Sequence, residues 1–140
     1  MKQHLIKSDP FKKSTCSDLT CPVCKLGTGI NCKTRDTVYY HRCIHYDDCN
    51  GMYVGETSDS IKERTVEHEQ KCRQKLKESA HHKHNLEQHK GEQPDFVVKV
   101  LGRCPSDPML RQCMESVCIR DLKPDMNMRE EWGNKKPPQR

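Results

Sequence analysis

The stretch Thr37–His68 reads TVYYHRCIHYDDCNGMYVGETSDSIKERTVEH. It contains two short runs rich in valine, tyrosine and methionine, Thr37–Cys43 and Gly51–Glu56, with aspartate and asparagine between them. Strand-forming residues on both sides of such a turn are typical of a β-hairpin. The sequence therefore predicts that two adjacent antiparallel strands begin the folded domain.

A helix is predicted to follow this hairpin. Ser60 and Glu63 have the spacing of a capping box, in which each side chain accepts a hydrogen bond from the backbone N–H of the other residue. We therefore expect a helix from Ile61 to about Lys77. Most of its residues are charged or polar, so it has a narrow inner face.

The second half of the chain predicts three further elements. Ser79–His89 is a short helical segment, and Phe96–Leu101, the most apolar run, is predicted to be the central strand. A last helix is expected over Met109–Leu122. Its inner side is predicted to carry Leu110, Met114, Val117 and Cys118. The order β-β-α-α-β-α indicates an α+β fold, a small three-stranded and mainly antiparallel sheet flanked by helices.

The composition suggests that this fold needs help from metal ions or disulfides. The 140 residues have room for one domain and a small appended module. Hydrophobic residues make up 32% of them, against about 45–50% in typical domains, so an apolar core would be thin. Ten cysteines and eight histidines could compensate. The net charge of +5 favours nucleic acid as a partner only weakly, because 20 acidic residues are interspersed.

The cellular compartment of the protein determines whether its cysteines bind metal or form disulfides. We find no apolar run of the kind that forms a signal peptide or a membrane span. We therefore expect an intracellular protein whose clustered cysteines bind zinc, because disulfides are rare inside cells. The alternative is a secreted protein held together by disulfides.

A cysteine-rich segment, residues 16–36, precedes the hairpin. Its four cysteines, in the pattern C-x4-C-x2-C-x7-C, could surround one zinc ion, and the C-x2-C pair forms a knuckle that grips the ion from one side. The members are Cys16, Cys21, Cys24 and Cys32. The fourth ligand stays open, because a histidine from elsewhere could replace Cys16 or Cys32. Unligated buried cysteines or a redox pair are the other interpretations. Residues 1–15 are predicted to form a basic arm or linker, and residues 129–140 a polar tail.

The order of several residues resembles the motif set of GIY-YIG endonucleases. In chain order they are Thr37-Val38-Tyr39, Tyr53-Val54-Gly55, Arg64, His68, Glu115 and Asn127. Two cysteines between the first two motifs, and two histidines after the first helix, resemble the endonuclease domain of Penelope-like retroelements. Those four are Cys43, Cys49, His84 and His89. The resemblance covers residues 37–128 and departs from the pattern at Thr37, where the family has glycine.

The resemblance implies the chemistry of metal-dependent phosphodiester hydrolysis. Glu115 would hold a hydrated Mg²⁺ or Mn²⁺, and Arg64 would clamp a phosphate because its planar guanidinium matches two oxygens. Tyr39, with Tyr53 beside it, would position or activate water. A phenol has a pKa near 10, so Tyr39 would need another group to take up its proton at neutral pH. His68 could be that group, which makes it a second candidate for the general base, or it could assist the leaving group. Asn127 would orient Tyr39 or the neighbouring backbone. Without the family pattern, Glu115 and Arg64 are ordinary charges on amphipathic helices.

The resemblance also implies a second structural zinc, bound by Cys43, Cys49, His84 and His89. It would tie the hairpin turn to the second helix. The alternative is a solvated, pH-sensitive patch formed by the histidines of the segment, His81, His82, His84 and His89. The remaining cysteines are predicted to be small buried hydrophobic residues rather than a third metal site. They are Cys72, Cys104, Cys113 and Cys118.

Two functions follow as hypotheses. The first is a DNA endonuclease that nicks target DNA in the nucleus to prime reverse transcription in a Penelope-like retrotransposon. Its expected partners are DNA, a reverse transcriptase and the RNA of that enzyme, and no membrane. The second is a non-catalytic, zinc-dependent module that binds nucleic acid or protein. The ordered set of candidate catalytic residues favours the first hypothesis, since a binding module does not require all of them.

Overall fold

A computed structural model describes residues 16–26, 30–44 and 49–127 of the chain. The predicted arm and polar tail lie outside these residues. The described part is an α+β fold in which one antiparallel sheet carries helices on its faces. Among the described residues, no helix is both long enough and apolar enough to cross a lipid bilayer.

The sheet has three strands, β1 (Thr37–Cys43), β2 (Met52–Thr57) and β3 (Phe96–Arg103), in the order β2-β1-β3. Both pairings are antiparallel, which confirms the predicted hairpin. The prediction that the Phe96 run forms the central strand is wrong. That place belongs to β1, which has five buried residues, whereas Lys99 on β3 is exposed, as suits an edge strand. Apolar content alone therefore did not identify the strand that is paired on both sides.

The three α-helices are α1 (Ile61–Arg73), α2 (Ala80–His89) and α3 (Pro108–Leu122), and a short 3₁₀ turn covers Cys24–Leu26. The capping box of α1 is present, with both of its reciprocal hydrogen bonds. The helix ends about one turn before the predicted Lys77. At that end Lys75 adopts a left-handed conformation with φ 58° and its N–H donates to the Cys72 carbonyl at 3.0 Å.

The inner face of α3 differs from the predicted one. Leu110 and Val117 were expected inside, but they are 51% and 44% exposed, and Met114 and Cys118 are half-buried. The buried residues of α3 are Arg111, Glu115 and Ile119. The prediction failed because it placed apolar residues inside, whereas buried ion pairs of Arg111 hold this helix against the sheet.

Hydrophobic clusters cover both faces of the sheet. On one face, Tyr39, Tyr53 and Val98 pack with residues from α1, α2 and the cysteine-rich segment, including Cys21 and Cys32. On the other face, a smaller cluster of Val38, Val54 and Ile119 joins β1, β2 and α3. Successive residues of a strand point to opposite faces, so the two clusters follow directly from the alternation along β1.

The outer edge of β2 is covered by the residues that follow α3. The Met52 N–H donates to Asp125 Oδ1 at 2.9 Å, and the Met126 N–H donates to the Met52 carbonyl at 3.0 Å. The Asn127 side chain then makes two hydrogen bonds of 2.9 Å to the backbone of Val54, one to its N–H and one to its carbonyl. Residues 125–127 therefore satisfy the outward backbone groups of Met52 and Val54, in the first half of β2.

Candidate active site and metal centres

The first metal-binding group brings together all four cysteines of the cysteine-rich segment. The sulfur atoms of Cys16, Cys21, Cys24 and Cys32 all lie within 4.8 Å of one another. Burial raises the pKa of Cys21, while the backbone N–H of Asp18 lowers the pKa of Cys16. Four thiolates at this separation repel each other unless a cation lies between them. The group could therefore hold a zinc ion in a closed, tetrahedral site.

The second group joins the hairpin to α2. The ligand atoms of Cys43, Cys49, His84 and His89 lie within 4.8 Å of one another. The Cys43 sulfur is 3.3 Å from His89 Nε2, the Cys49 sulfur is 3.5 Å from His84 Nε2, and the two imidazole nitrogens are 3.1 Å apart. Two cysteines and two histidines in this arrangement could also hold a zinc ion.

The local structure explains how His84 and His89, five residues apart, can meet. Helix α2 ends at His89, and the next residue, Lys90, is left-handed with φ 54°. Gly51 supplies the space beside them, because a Cβ atom built on it would lie 2.3 Å from His84 Cε1. His84, His89 and His81 are 4–5% exposed, so the interpretation as a solvated histidine patch is wrong for these three.

All ten cysteines lie among the described residues, and none forms a disulfide. The four outside the two groups belong to no further metal-binding group in this part of the chain. Two of them, Cys72 and Cys104, are buried, and the other two are half-buried. Cys72 Sγ accepts a hydrogen bond from Asn85 Nδ2 at 3.0 Å, and Cys104 Sγ contacts Met114 Sδ at 2.7 Å.

Three of the predicted catalytic side chains meet at one oxygen atom. Tyr39, on the central strand, is 1% exposed, and its hydroxyl lies 2.9 Å from His68 Nε2. Arg64 Nε donates to the same hydroxyl oxygen at 3.3 Å. Arg64 and His68 are four residues apart on α1, so they lie on one face of the helix and reach Tyr39 together.

A glycine on β2 allows this arrangement. Gly55 pairs with Tyr39 in the register of the hairpin. A Cβ atom on Gly55 would lie 2.6 Å from the Tyr39 hydroxyl and 3.0 Å from Tyr53 Cε2. Any side chain at this position would therefore displace the tyrosine ring, which gives the last residue of the Tyr53-Val54-Gly55 motif a steric role.

The other three predicted residues are related to this point in different ways. The Tyr53 ring stands edge-on to His68, with ring centroids 5.0 Å apart. Glu115 is buried on α3, and its negative charge contributes to raising the pKa of Tyr39. Asn127 holds the β2 backbone at Val54 through two hydrogen bonds, which matches the backbone role among its two predicted roles.

Electrostatics keeps the tyrosine and histidine of this site neutral. Burial raises the pKa of Tyr39 above its usual value, although the positive charge of Arg64 opposes the effect. Burial also lowers the pKa of His68, and two neighbouring histidines, His81 and His41, lower it further. At neutral pH the contact is therefore between a protonated phenol and a neutral imidazole, whose unprotonated nitrogen can accept a hydrogen bond from the hydroxyl.

Sequence reasoning missed two histidines behind His68. His41 Nδ1 lies 3.0 Å from His81 Nε2, and His41 Nε2 lies 3.2 Å from Thr65 Oγ1. Burial lowers the pKa of His81 and lowers that of His41 to about 3. The strand alternation contained a signal for His41, because it lies two residues after Tyr39 and so faces the same side.

Sequence reasoning also missed the buried ion pairs of α3. Arg111 Nε donates to Glu56 Oε1 at 2.7 Å, and the guanidinium reaches Asp36 Oδ1 at 3.3 Å. The Arg111 side chain is 6% exposed. Its position four residues before Glu115 places both on the inner face, which the sequence could have indicated.

Comparisons with known proteins add no assignment. No protein-family model matches the chain, and searches of curated proteins and of solved structures find no match.

Proposed function

We propose that the chain is a divalent-metal-dependent DNA endonuclease of the GIY-YIG type, stabilised by two structural zinc ions. The observation that carries this proposal is the convergence of Arg64 and His68 on the Tyr39 hydroxyl, in a site that also places Glu115 within electrostatic reach. The function of a non-catalytic module does not require a buried tyrosine that is hydrogen-bonded to both an imidazole and a guanidinium.

The residues present suit the catalytic cation that the resemblance implies. Glu115 offers carboxylate oxygens, the donor type that Mg²⁺ and Mn²⁺ prefer, and its charge is felt at Tyr39. Neither metal-binding group of cysteines and histidines includes Glu115. When bound there, the cation would stabilise negative charge on the phosphate and on the leaving oxygen.

Arg64 is the proposed phosphate clamp. Its Nε is committed to Tyr39, and its NH1 forms an ion pair with Glu67, whose side chain is 44% exposed. Ion pairs open to solvent contribute little free energy, so a DNA phosphate can replace Glu67 at low cost. The guanidinium would then connect the phosphate to the Tyr39 hydroxyl and fix the distance between them.

Tyr39 and His68 are proposed to act as one proton-transfer unit. Because the pKa of Tyr39 is raised, a tyrosinate is a poor starting point for catalysis at neutral pH. The phenol can instead pass its proton to His68 Nε2 while it accepts one from the attacking water. The lowered pKa of His68 leaves the ring neutral before the reaction, and it also means that the imidazolium formed in this step must be stabilised by the negative charge of the bound DNA phosphate.

The biological setting is proposed from the resemblance alone. A nick in target DNA would leave a 3′-hydroxyl that a reverse transcriptase can extend, as expected in a Penelope-like retrotransposon. DNA, the reverse transcriptase and its RNA are then the partners, and the nucleus is the place of action.

Plasmid nicking tests the activity. The zinc-loaded chain is incubated with supercoiled plasmid and Mg²⁺ or Mn²⁺, beside Glu115→Gln and Asp121→Asn, a control on the exposed side of the same helix. We expect nicking by the parent and the control, and loss of nicking in Glu115→Gln with zinc content unchanged. Equal nicking by Glu115→Gln would refute the assignment of Glu115. DNA binding by the parent without nicking would favour the non-catalytic zinc module.

A further inference from the structure

A small cavity lies beside His68. Its volume is about 20 Å³, and three histidines line it, His41, His68 and His81. The cysteine-rich segment supplies part of the wall through Lys25, which forms an ion pair with Asp95 at 3.0 Å. The three imidazoles belong to neither metal-binding group.

Hydrogen bonds fix two of these histidines as a pair. Both nitrogens of His41 are used, Nδ1 towards His81 Nε2 and Nε2 towards Thr65 Oγ1. A neutral imidazole has one donor and one acceptor nitrogen, and the threonine hydroxyl can play either part. The two hydrogen bonds of the row Thr65–His41–His81 can therefore form without any added proton, while His81 Nδ1 is buried without a hydrogen-bond partner among the described residues.

The His81 ring in turn restrains His68. Their centroids are 4.5 Å apart with planes inclined at 36°, and Tyr53 packs 5.0 Å from both rings. A half-turn of the His68 ring would replace Nε2 by Cε1 at the Tyr39 hydroxyl. Packing on two sides of His68 opposes this rotation.

The donors around Tyr39 then indicate the tautomer of His68. Arg64 already donates to the Tyr39 oxygen, and a neutral tyrosine has one proton of its own to donate. The 2.9 Å contact is satisfied when His68 Nε2 accepts that proton, which leaves the proton of His68 on Nδ1. This is the form of His68 that can receive a proton from Tyr39.

We propose that His81, held by His41 and Thr65, is a positioning residue that keeps His68 Nε2 directed at the Tyr39 hydroxyl as a proton acceptor. Its catalytic consequence rests on the proposed nuclease function. The effect of His81 on the tautomer of His68 exists in the protein without DNA, so it can be measured independently of nuclease activity.

Nitrogen NMR of the zinc-loaded, ¹⁵N-histidine-labelled chain tests this role, with His68→Gln identifying the signals of His68. We expect an unprotonated Nε2 in the parent and in His82→Ala, the matched control next to His81. In His81→Ala the signals should shift towards the Nε2–H form, because the ring can turn and lose its contact with Tyr39. Thr65→Val, which is nearly isosteric, should shift the His68 signals in the same direction. This variant replaces His81→Ala in the test if His81→Ala does not fold. Unchanged His68 signals in the folded variants would overturn the proposal.

Kinetics separates positioning from general damage. In the nicking assay, His81→Ala should lower kcat by about a hundredfold, the scale of a 1 Å misplacement of a catalytic group. KM should stay within about twofold, because no contact with DNA is removed. An equal loss of kcat in His82→Ala would overturn the role of His81. If the parent shows the NMR signature but does not nick DNA, the nuclease proposal fails while the positioning of His68 stands.

Discussion

Position 55 requires a glycine more strictly than its place on an outer strand suggests. Its neighbour across the sheet, Tyr39, extends its hydroxyl over the glycine, where a side chain would otherwise lie. Tyr39 cannot move aside freely, because Arg64 and His68 hold the same hydroxyl. The absence of a side chain at residue 55 is thus part of the geometry of the site.

Gly55→Ala should therefore damage both stability and activity. The added methyl would force the Tyr39 ring away from His68, and we expect a destabilisation of about 1–3 kcal/mol, as for other overpacked sites. Gly102→Ala is the matched control on β3, where the added methyl meets the flexible end of Met114. Chemical denaturation and plasmid nicking measure the two effects. Full nicking by Gly55→Ala would contradict the steric role.

His68 should also make stability depend on pH. Its pKa is lowered in the folded state, so below the ordinary value of 6.5 the unfolded chain binds a proton that the folded chain refuses. Stability is then complete above about pH 6.5 and declines as the pH falls, by up to about 1.4 kcal/mol per pH unit for one group.

The contribution of His68 is isolated by comparison with His68→Gln. Its free energy of unfolding should fall less steeply between pH 6.5 and 5, whereas His82→Gln should follow the parent. Protonation of the metal ligands affects all three proteins alike and cancels in the comparison. Parallel curves for the parent and His68→Gln would show that His68 binds a proton equally well in the folded and the unfolded chain, which would contradict the lowered pKa.

At the scale of elements, α3 is held by ion pairs as well as by apolar contacts. Arg111→Met should destabilise the fold by about 3 kcal/mol, the lower end for a broken buried pair, because Glu56 and Asp36 keep some contact with water. Arg120→Met removes an exposed pair from the same helix and should cost at most about 0.5 kcal/mol. Thermal or denaturant unfolding compares them.

A double variant tests whether the cost comes from the unpaired carboxylate. Adding Glu56→Gln to Arg111→Met should recover part of the lost stability, because it removes one negative charge that has lost its ion-pair partner. No recovery would mean that the cost comes from the lost hydrogen bonds of the guanidinium rather than from an unpaired negative charge.

The elements show which parts of the fold local sequence can predict. The hairpin and the start of α1 were predictable because alternation and capping boxes act between neighbouring residues. The place of β3 at the edge, and the polar inner face of α3, depend on partners far along the chain. Arg111 finds Glu56 and Asp36 only after α3 docks on the sheet.

The same distinction holds for the site. Both predicted metal-binding groups assemble from the predicted residues. The spacing of its four cysteines indicated the first group, whereas the ligands of the second were implied by the family resemblance. His81 was not predictable as a partner of His68, since nothing local to α2 says which of its histidines turns towards the sheet and which towards Cys43.

At the scale of the whole molecule, the stability of the fold should depend on bound zinc. We expect two zinc ions per chain and cooperative unfolding that is lost in strong chelator, because apparent zinc binding energies of about 10–16 kcal/mol exceed what a thin core supplies. Cys43→Ser should lower the zinc content to one ion and reduce Tm. Cys113→Ser, outside both groups, should keep two ions. Elemental analysis with thermal unfolding checks this, and two ions in Cys43→Ser would contradict the ligand assignment.

The cover on β2 has a consequence for self-association. Exposed strand edges are templates on which other chains can add strands, leading to aggregation. Asp125, Met126 and Asn127 occupy the outer edge of β2 at Met52 and Val54, so this part of the edge is closed to such growth. A chain cut before Asp125 would lose this cover and expose the edge, so residues 125–127 are expected to protect the protein from aggregation as well as to hold the β2 backbone.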